Sequence, residues 1–272
     1  MIKRADKRKL SDNCCLCQNE RSTKKNSHII PKFMGKVLFE NNDKRQIFGV
    51  TAKNIDKPFI YQDTAKEDYI FCPSCESYLS VLEGYFAQQI HNLIKSNRGP
   101  VYFESLFDNV GSQFLKTKLV EPRLVYLLID SILFRCHIAS IFPFERFLID
   151  KNLLEKIRLQ LLRFKGNNTN EIFTTLNQNS DFEYRTFMLG TPLNWSESVS
   201  AARVNVNSNT NPVIILTGFY LIMIHLNEQK PREQVYLNNG LTGIKITLMP
   251  DSFWNMIPDT ILRQLIKRIP KV

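Results

Sequence analysis

The sequence predicts an α+β protein, with a small zinc-stapled N-terminal module over residues 1–97 and a larger mixed domain over 98–272, helical first and strand-rich later. Three observations carry that expectation. Five of the six cysteines fall in the first hundred residues and supply two C-x-x-C pairs, two long segments with helical apolar spacing follow, and β-rich runs alternate with Asn-rich stretches beyond them. A hydrophobic content of 43% over 272 residues can fill a core and excludes wholesale disorder.

Taken in chain order, Cys14 and Cys17 form the first pair and Cys72 and Cys75 the second. Two residues between cysteines let both thiolates of a tight turn reach one ion about 2.3 Å away, and two such turns complete a closed tetrahedral zinc site. Iron fits the same four thiolates, so zinc is favoured rather than required. Cys15-x-Cys17 is the alternative first pair; Cys14 is preferred because its spacing matches that of the second. Between the pairs lies SHIIPKF, Ser27–Phe33, which sets His28 just before an apolar run. A metal joining the pairs closes the 54-residue loop Gln18–Phe71 and holds His28 near the helix expected after Cys75.

That helix, ESYLSVLEGYFAQQIHNLI, repeats Leu79, Leu82, Phe86, Ile90 and Leu93 at helical spacing, while Glu76, Ser80, Glu83 and Ala87 share a flanking stripe. Glu76 and Glu83 therefore share a face, either as functional carboxylates or as a helix N-terminal acid and a solvated side chain. Breakers in NLIKSNRGP, Asn92–Pro100, mark the domain border. Leu124–Ile141 and Phe144–Phe164 then read as helices, with Cys136 a buried core thiol. The amide-rich Lys165–Glu171 and Asn205–Pro212 read as loops, and Phe182–Gly190, Val213–Leu226 and Gly243–Met249 as strands. A last helix is expected over Asp251–Ile269, with Asp251 or Ser252 as N-cap. His91, His137 and His225 lack partner spacing and read as structural.

The net charge of +10 is concentrated at the N-terminus: residues 1–60 hold 14 Lys and Arg against 6 Asp and Glu. A basic segment around a compact site favours a polyanion, nucleic acid being the commonest, although a lysine-rich solvated surface accounts for the same residues. Lys24, Lys25, Lys32 and Lys36 bracket His28 and are suited to phosphates without reading bases. No apolar signal core follows MIKRADKRKL, so the expected location is cytoplasmic. The longest apolar run, Pro212–Leu226, is shorter than the roughly 18 residues of a membrane helix, so no membrane partner is expected.

The order C-x-x-C, H-I-I-P, C-x-x-C at a helix start resembles the zinc-containing HNH nucleases, the His-Me finger or ββα-metal group, over roughly residues 14–95. SHIIPKF, YQD at Tyr61–Asp63, FCPSCESYLSVLEGYF and RLVYLLIDSILFRC are similar more narrowly to a set of bacterial HNH-like proteins in which a long C-terminal region accompanies the module. The resemblance implies a treble-clef/ββα-metal-like fold. It also implies a metal-dependent endonuclease acting on DNA in preference to RNA, with His28 as general base. Magnesium or manganese would be held by Glu76 with Glu83 or Asp63, and the biological setting would be a bacterial defence or mobile-element system. Two departures stand out: Ser27 replaces the usual acid before the histidine, and no Asn stands near Glu67. They keep a second class open, a non-catalytic zinc-stabilised module that binds nucleic acid or protein. The C-terminal domain is equally suited to a homodimer or a partner-protein contact.

Overall fold

The computed structural model describes residues 4–5, 8–35, 47–49, 59–61, 63–96, 99–108, 111–141, 144–145, 147–193, 205–207, 213–217, 219–226, 237–250 and 252. The N-terminal part holds a two-residue strand β1 (Ser27–His28), a short helix α1 (Lys32–Gly35), and strands β2 (Ile47–Gly49), β3 (Phe59–Tyr61) and β4 (Lys66–Glu67). β1 pairs antiparallel with β4, and β2 with β3. Helix α2 (Pro73–Phe86) follows, passing through one π-helical turn, Ala87–His91, into α3 (Asn92–Lys95). Pro73 suits the first helical turn, where its missing N–H has no intrahelical role.

Downstream come α4 (Gly99–Tyr102), β5 (Phe103–Phe107), β6 (Gln113–Thr117), α5 (Pro122–Ile138), α6 (Lys151–Arg163) and α7 (Thr169–Gln178). The strands β7 (Phe187–Pro192), β8 (Asn205–Asn207), β9 (Val213–Leu216), β10 (Leu221–Ile224) and β11 (Lys245–Met249) end the sequence of described elements. Seven strands form one sheet in the order β5-β6-β11-β7-β10-β9-β8, in which only β11 and β7 run parallel. The α+β class of the sequence reading is thus the observed class.

Helix α5 is the axis of the molecule. It is buried on nearly all sides, as its near-continuous apolar sequence demands, with α2 packed on one flank and α6 on another. The buried residues from Leu16 and Ile29 through Phe71, Leu133 and Ile246 make one contiguous cluster. Among the described residues no helix is long and apolar enough to cross a membrane.

Several boundaries differ from expectation, each for a local reason. The helix expected from Leu124 starts at Pro122, where Glu121 caps the Arg123 N–H, and stops at Ala139, whose ψ of 144° is extended. The segment expected to be helical from Phe144 begins only at Lys151. Asp150 caps it by accepting from the N–H groups of Asn152 and Leu153, while Phe144 and Phe147 are core residues of a non-helical connection. Helix α7 opens inside the expected loop Lys165–Glu171: the Asn168 side chain accepts from Glu171 N–H and the Glu171 carboxylate from Asn167 N–H, a reciprocal cap. The strand expected from Phe182 starts at Phe187, because Phe182 and Tyr184 pack edge-on or tilted against Tyr126 and each other. The run Val213–Leu226 is two strands, β9 and β10, turned between Thr217 and Tyr220. Asn205–Asn207 of the second expected loop is β8, and the hairpin β5–β6 has no counterpart in the sequence reading. The strand Gly243–Met249 starts at Lys245; Gly243 itself has φ +91°, and a Cβ there would lie 2.7 Å from the Thr117 carbonyl oxygen. Apart from Ser252, the expected helix Asp251–Ile269 lies outside the described residues.

Candidate metal centre and the histidine face beside it

The first cysteine pair sits in a tight turn closed by Cys14 N–H to the Glu20 carbonyl (2.7 Å) and Gln18 N–H to the Cys14 carbonyl (2.9 Å). Gln18 adopts φ +61°, and its carbonyl accepts from the Asn13 amide, which stabilises that left-handed residue. The second pair opens α2: the Cys72 sulfur accepts from Cys75 N–H at 3.4 Å, in the place of an ordinary N-cap oxygen. Backbone bonds from Cys15 N–H to Ile70 and from Lys24 N–H to Phe71 lace the two turns together.

The sulfurs of Cys14, Cys17, Cys72 and Cys75 all lie within 4.8 Å of one another, and among the described residues no other His, Cys, Asp and Glu set of three or more does so. Four sulfurs at about 2.3 Å from one zinc would be separated by about 3.8 Å, and Cys17 Sγ and Cys72 Sγ are 3.8 Å apart. The quartet therefore fits a metal such as zinc. Cys15 stays outside it; it is buried, and burial pushes its thiol up to about 12. Cys136 is buried in α5, as expected of a core thiol, and burial raises it strongly.

Without an ion the sulfurs share protons unequally. The hydrogen bond from Cys75 brings Cys14 down to about 5, against the effect of burial; Cys75 is raised as the donor, and burial pushes Cys72 up to about 12. Four thiolates cannot coexist this close unless a cation replaces the protons, which is what a closed thiolate site provides.

His28 lies on β1 opposite Lys66, and Ser27 opposite Glu67. Ser27 Oγ donates to Glu76 Oε2 at 2.9 Å, which ties the strand to the first turn of α2. Arg135 of α5, buried at 2% exposure, donates through Nη1 to the His28 carbonyl (2.9 Å) and to Glu83 Oε1 (2.5 Å). Its Nε and Nη2 bond to Ser131. On the other strand, Glu67 Oε1 accepts from Ser140 N–H, Ser140 Oγ and Ile141 N–H, at the end of α5. Both strands of the pair are thus moored to a helix more than sixty residues downstream.

His28 Nε2 is buried and has no hydrogen-bond partner among the described residues. Burial and the Lys66 charge lower its pKa, opposed by Asp63 and Glu83, with Arg135 reinforcing the fall. Burial raises the Glu76 carboxyl, although Ser27 and Arg135 favour its charged form. Asp63, against the effect of burial, is lowered by Lys66, 2.5 Å away.

His28 feels the charges of Asp63 and Glu83, and Glu76 that of Glu83, yet the ligand atoms of these four side chains do not gather as the sulfurs do. Glu83 is committed to Arg135, Asp63 to Lys66, and Glu76 to Ser27. Lys24, Lys25 and Lys32 are exposed, Lys25 lying over the Tyr69 ring, while Lys36 lies outside the described residues. His91 packs against Phe33 with Nδ1 3.1 Å from Tyr220 Oη, and His137 Nδ1 accepts from Ile149 N–H; both have the structural surroundings expected of them.

The sequence analysis does not single out Arg135, Glu67 or Arg158 as site residues. For Arg135 a signal existed, a guanidinium inside the apolar run LFRCHI, which is costly unless paired. Arg158 Nη1 donates to the Leu16 carbonyl (2.8 Å), between Cys14 and Cys17 of the quartet. The chain matches no family model, no curated protein and no solved structure.

Proposed function

We propose that this protein is an HNH-like endonuclease that hydrolyses phosphodiester bonds in DNA, and that its cysteine quartet holds structural zinc. One observation carries the reading: an antiparallel strand pair bearing His28 precedes a helix bearing Glu76 and Glu83, and the cysteines staple the pair to that helix. A strand pair followed by a helix supports the resemblance to that family, although two further strands, β2 and β3, lie between the paired strands in the chain. A bacterial defence effector is the setting that resemblance suggests.

His28 is the base. Its pKa is lowered below the ordinary 6.5, so the ring is neutral at pH 7 and can act as a base; its unpartnered Nε2 is buried, so taking a proton from water, as the resulting hydroxide attacks phosphorus and the bond to the leaving oxygen breaks, requires this face to open to solvent when substrate binds. The exposed amines of Lys24, Lys25 and Lys32 suit the phosphates on either side. As they stand, the carboxylates do not form a site for magnesium or manganese; Glu76 would have to leave Ser27, or Glu83 leave Arg135. Those pairings favour the second reading, a zinc-stabilised module that binds nucleic acid without cutting it.

The full chain is incubated with supercoiled plasmid and with structured RNA, in magnesium, manganese or EDTA, beside His28→Ala and Glu76→Gln. Plasmid nicking that falls on the order of 100-fold or more in His28→Ala is the expected result. Retained DNA binding with no cutting by any of the three proteins would establish the second reading instead.

A further inference from the structure

Two arginines of the basic stretch MIKRADKRKL turn inward onto backbone oxygens. Arg4 reaches the non-helical connection between α5 and α6: its Nη2 donates to the carbonyls of Ala139 and Phe144, 3.1 Å from the latter, and its Nη1 to that of Phe147 (3.5 Å). Ala139 is the C-cap of α5, so the guanidinium also meets the helix end, where carbonyls lack intrahelical donors and partial negative charge collects. Arg8 donates Nε to the Tyr69 carbonyl (2.7 Å) and Nη2 to the Asn13 carbonyl and to Ser22 Oγ (3.2 Å), which holds the start of the first cysteine turn to the approach to the second. Ala5 lies in the core at 7% exposure, and its carbonyl accepts from Arg8 N–H (3.0 Å). The connection that Arg4 grips by its carbonyls is gripped by its N–H groups as well, Ser140 and Ile141 donating to Glu67 and Ile149 to His137 Nδ1.

We propose that Arg4 and Arg8 form a two-point strap between the cysteine turns and the α5–α6 connection, and that the carbonyls of Ala139, Phe144 and Phe147 make a seat for a guanidinium and not for an ammonium. The geometry gives the reason. Three carbonyl oxygens are spanned by two nitrogens of one planar fork, whereas an ammonium on a flexible stem presents a single nitrogen. Without the fork, part-buried oxygens that face one point lose their donor. The strap thereby sets the position of the connection and, through Glu67, that of β4. It also commits two of the positive charges of residues 1–60 to the fold itself. This inference is independent of whether the protein cuts nucleic acid.

Amide hydrogen exchange is followed on the full chain for the wild type, Arg4→Ala, Arg4→Lys and Lys9→Ala. The reporters are the amides of Phe144, Phe147 and Ile149, which bond to the Ile141 carbonyl, the Phe144 carbonyl and His137 Nδ1; those of α7 are the reference. In Arg4→Ala the reporters are expected to exchange roughly 10–100-fold faster, the factor for losing hydrogen bonds to a charged group, while α7 keeps its wild-type rates. Arg4→Lys, which keeps the charge but not the fork, is expected to follow Arg4→Ala. Lys9→Ala, which removes one positive charge from an exposed side chain of the same stretch, is expected to match the wild type. Wild-type reporter rates in Arg4→Ala or in Arg4→Lys overturn the proposal, as does an equal acceleration of α7, which would make the effect global, or of the reporters in Lys9→Ala. Should Arg4→Ala not fold, Arg4→Lys and Lys9→Ala still decide it.

Discussion

The cysteine quartet and the histidine face are neighbours on the same strand–helix frame, but they are built on opposite principles. In the quartet like groups converge: four sulfurs within 4.8 Å, which as thiolates would need a cation among them. On the histidine face like groups are kept apart, each carboxylate having its own partner: Ser27 for Glu76, Arg135 for Glu83, Lys66 for Asp63. Convergence of like donor atoms marks a site that fits a cation, whereas dispersal into pairs marks a surface whose charges are already balanced. The difference also locates what is unusual about His28, since its Nε2 is the one side-chain atom of that face recorded as buried without a partner among the described residues.

The largest effect should come from breaking the quartet. Cys72 is both one of the four gathered sulfurs and the N-cap of α2, so Cys72→Ser removes a candidate metal ligand at the point where the helix starts. Structural zinc in small domains contributes apparent binding free energies of about 10–16 kcal/mol, comparable with the whole stability of a typical domain. The variant is expected to lose its zinc by elemental analysis, and amide protection should collapse from Asn13 to Phe33 and through the first turns of α2. Unchanged zinc content would remove the premise of the comparison.

Next in size is the loss of Arg135. Arg135→Met leaves Glu83 without its cation and the His28 carbonyl without its donor in a largely buried setting. Removing one partner of such a pair costs roughly 3 kcal/mol, read as a lower urea midpoint. Adding Glu83→Gln should recover a good part of it, because the uncompensated charge is then gone. A cost below about 1 kcal/mol would mean that the pair behaves as a solvated surface bridge, and the contrast between balanced and unbalanced regions would weaken.

The two regions also differ in how far the sequence discloses them. Cys14, Cys17, Cys72 and Cys75 are readable because a three-residue offset in a turn or a first helical turn fixes where sulfurs point, whatever the rest of the chain does. Helix α5 is readable because a long apolar run has few other ways to satisfy its backbone. The partners of Glu83 and His28 are not, since Arg135 is 52 and 107 positions away and only tertiary packing brings it there. The same holds for Glu67, whose three donors lie beyond residue 139. Elsewhere the obstacle was local: in β5 only Phe103 is fully buried, so the strand lacks the alternation that announces one, and Asn168 looked like loop composition when it was a cap. Asp150 was legible as a helix start and Phe144 drew attention away from it, since an aromatic residue packs into a core equally well from a non-helical connection.

The smallest expected effect separates burial from partnership as the reason a histidine stays neutral. His28 and His137 are both lowered, chiefly by burial, but His137 Nδ1 has a donor in Ile149 N–H, whereas His28 Nε2 has no partner. For His137 the folded value is about 4 against an ordinary 6.5, so the unfolded chain takes up the proton first as acid is added. Stability is therefore complete above pH 6.5 and falls as pH drops from 6.5 towards 4. His137→Asn keeps an acceptor for Ile149 N–H but cannot titrate, so the wild type's urea midpoint should decline relative to that of the variant across this window and run parallel to it above pH 6.5. His28→Asn should show the same sign from pH 6.5 downward without the loss of a backbone hydrogen bond. Equal slopes for wild type and both variants between pH 6.5 and 4 would show that neither ring is held neutral by the fold, and the water-activating role given to His28 would lose its electrostatic support.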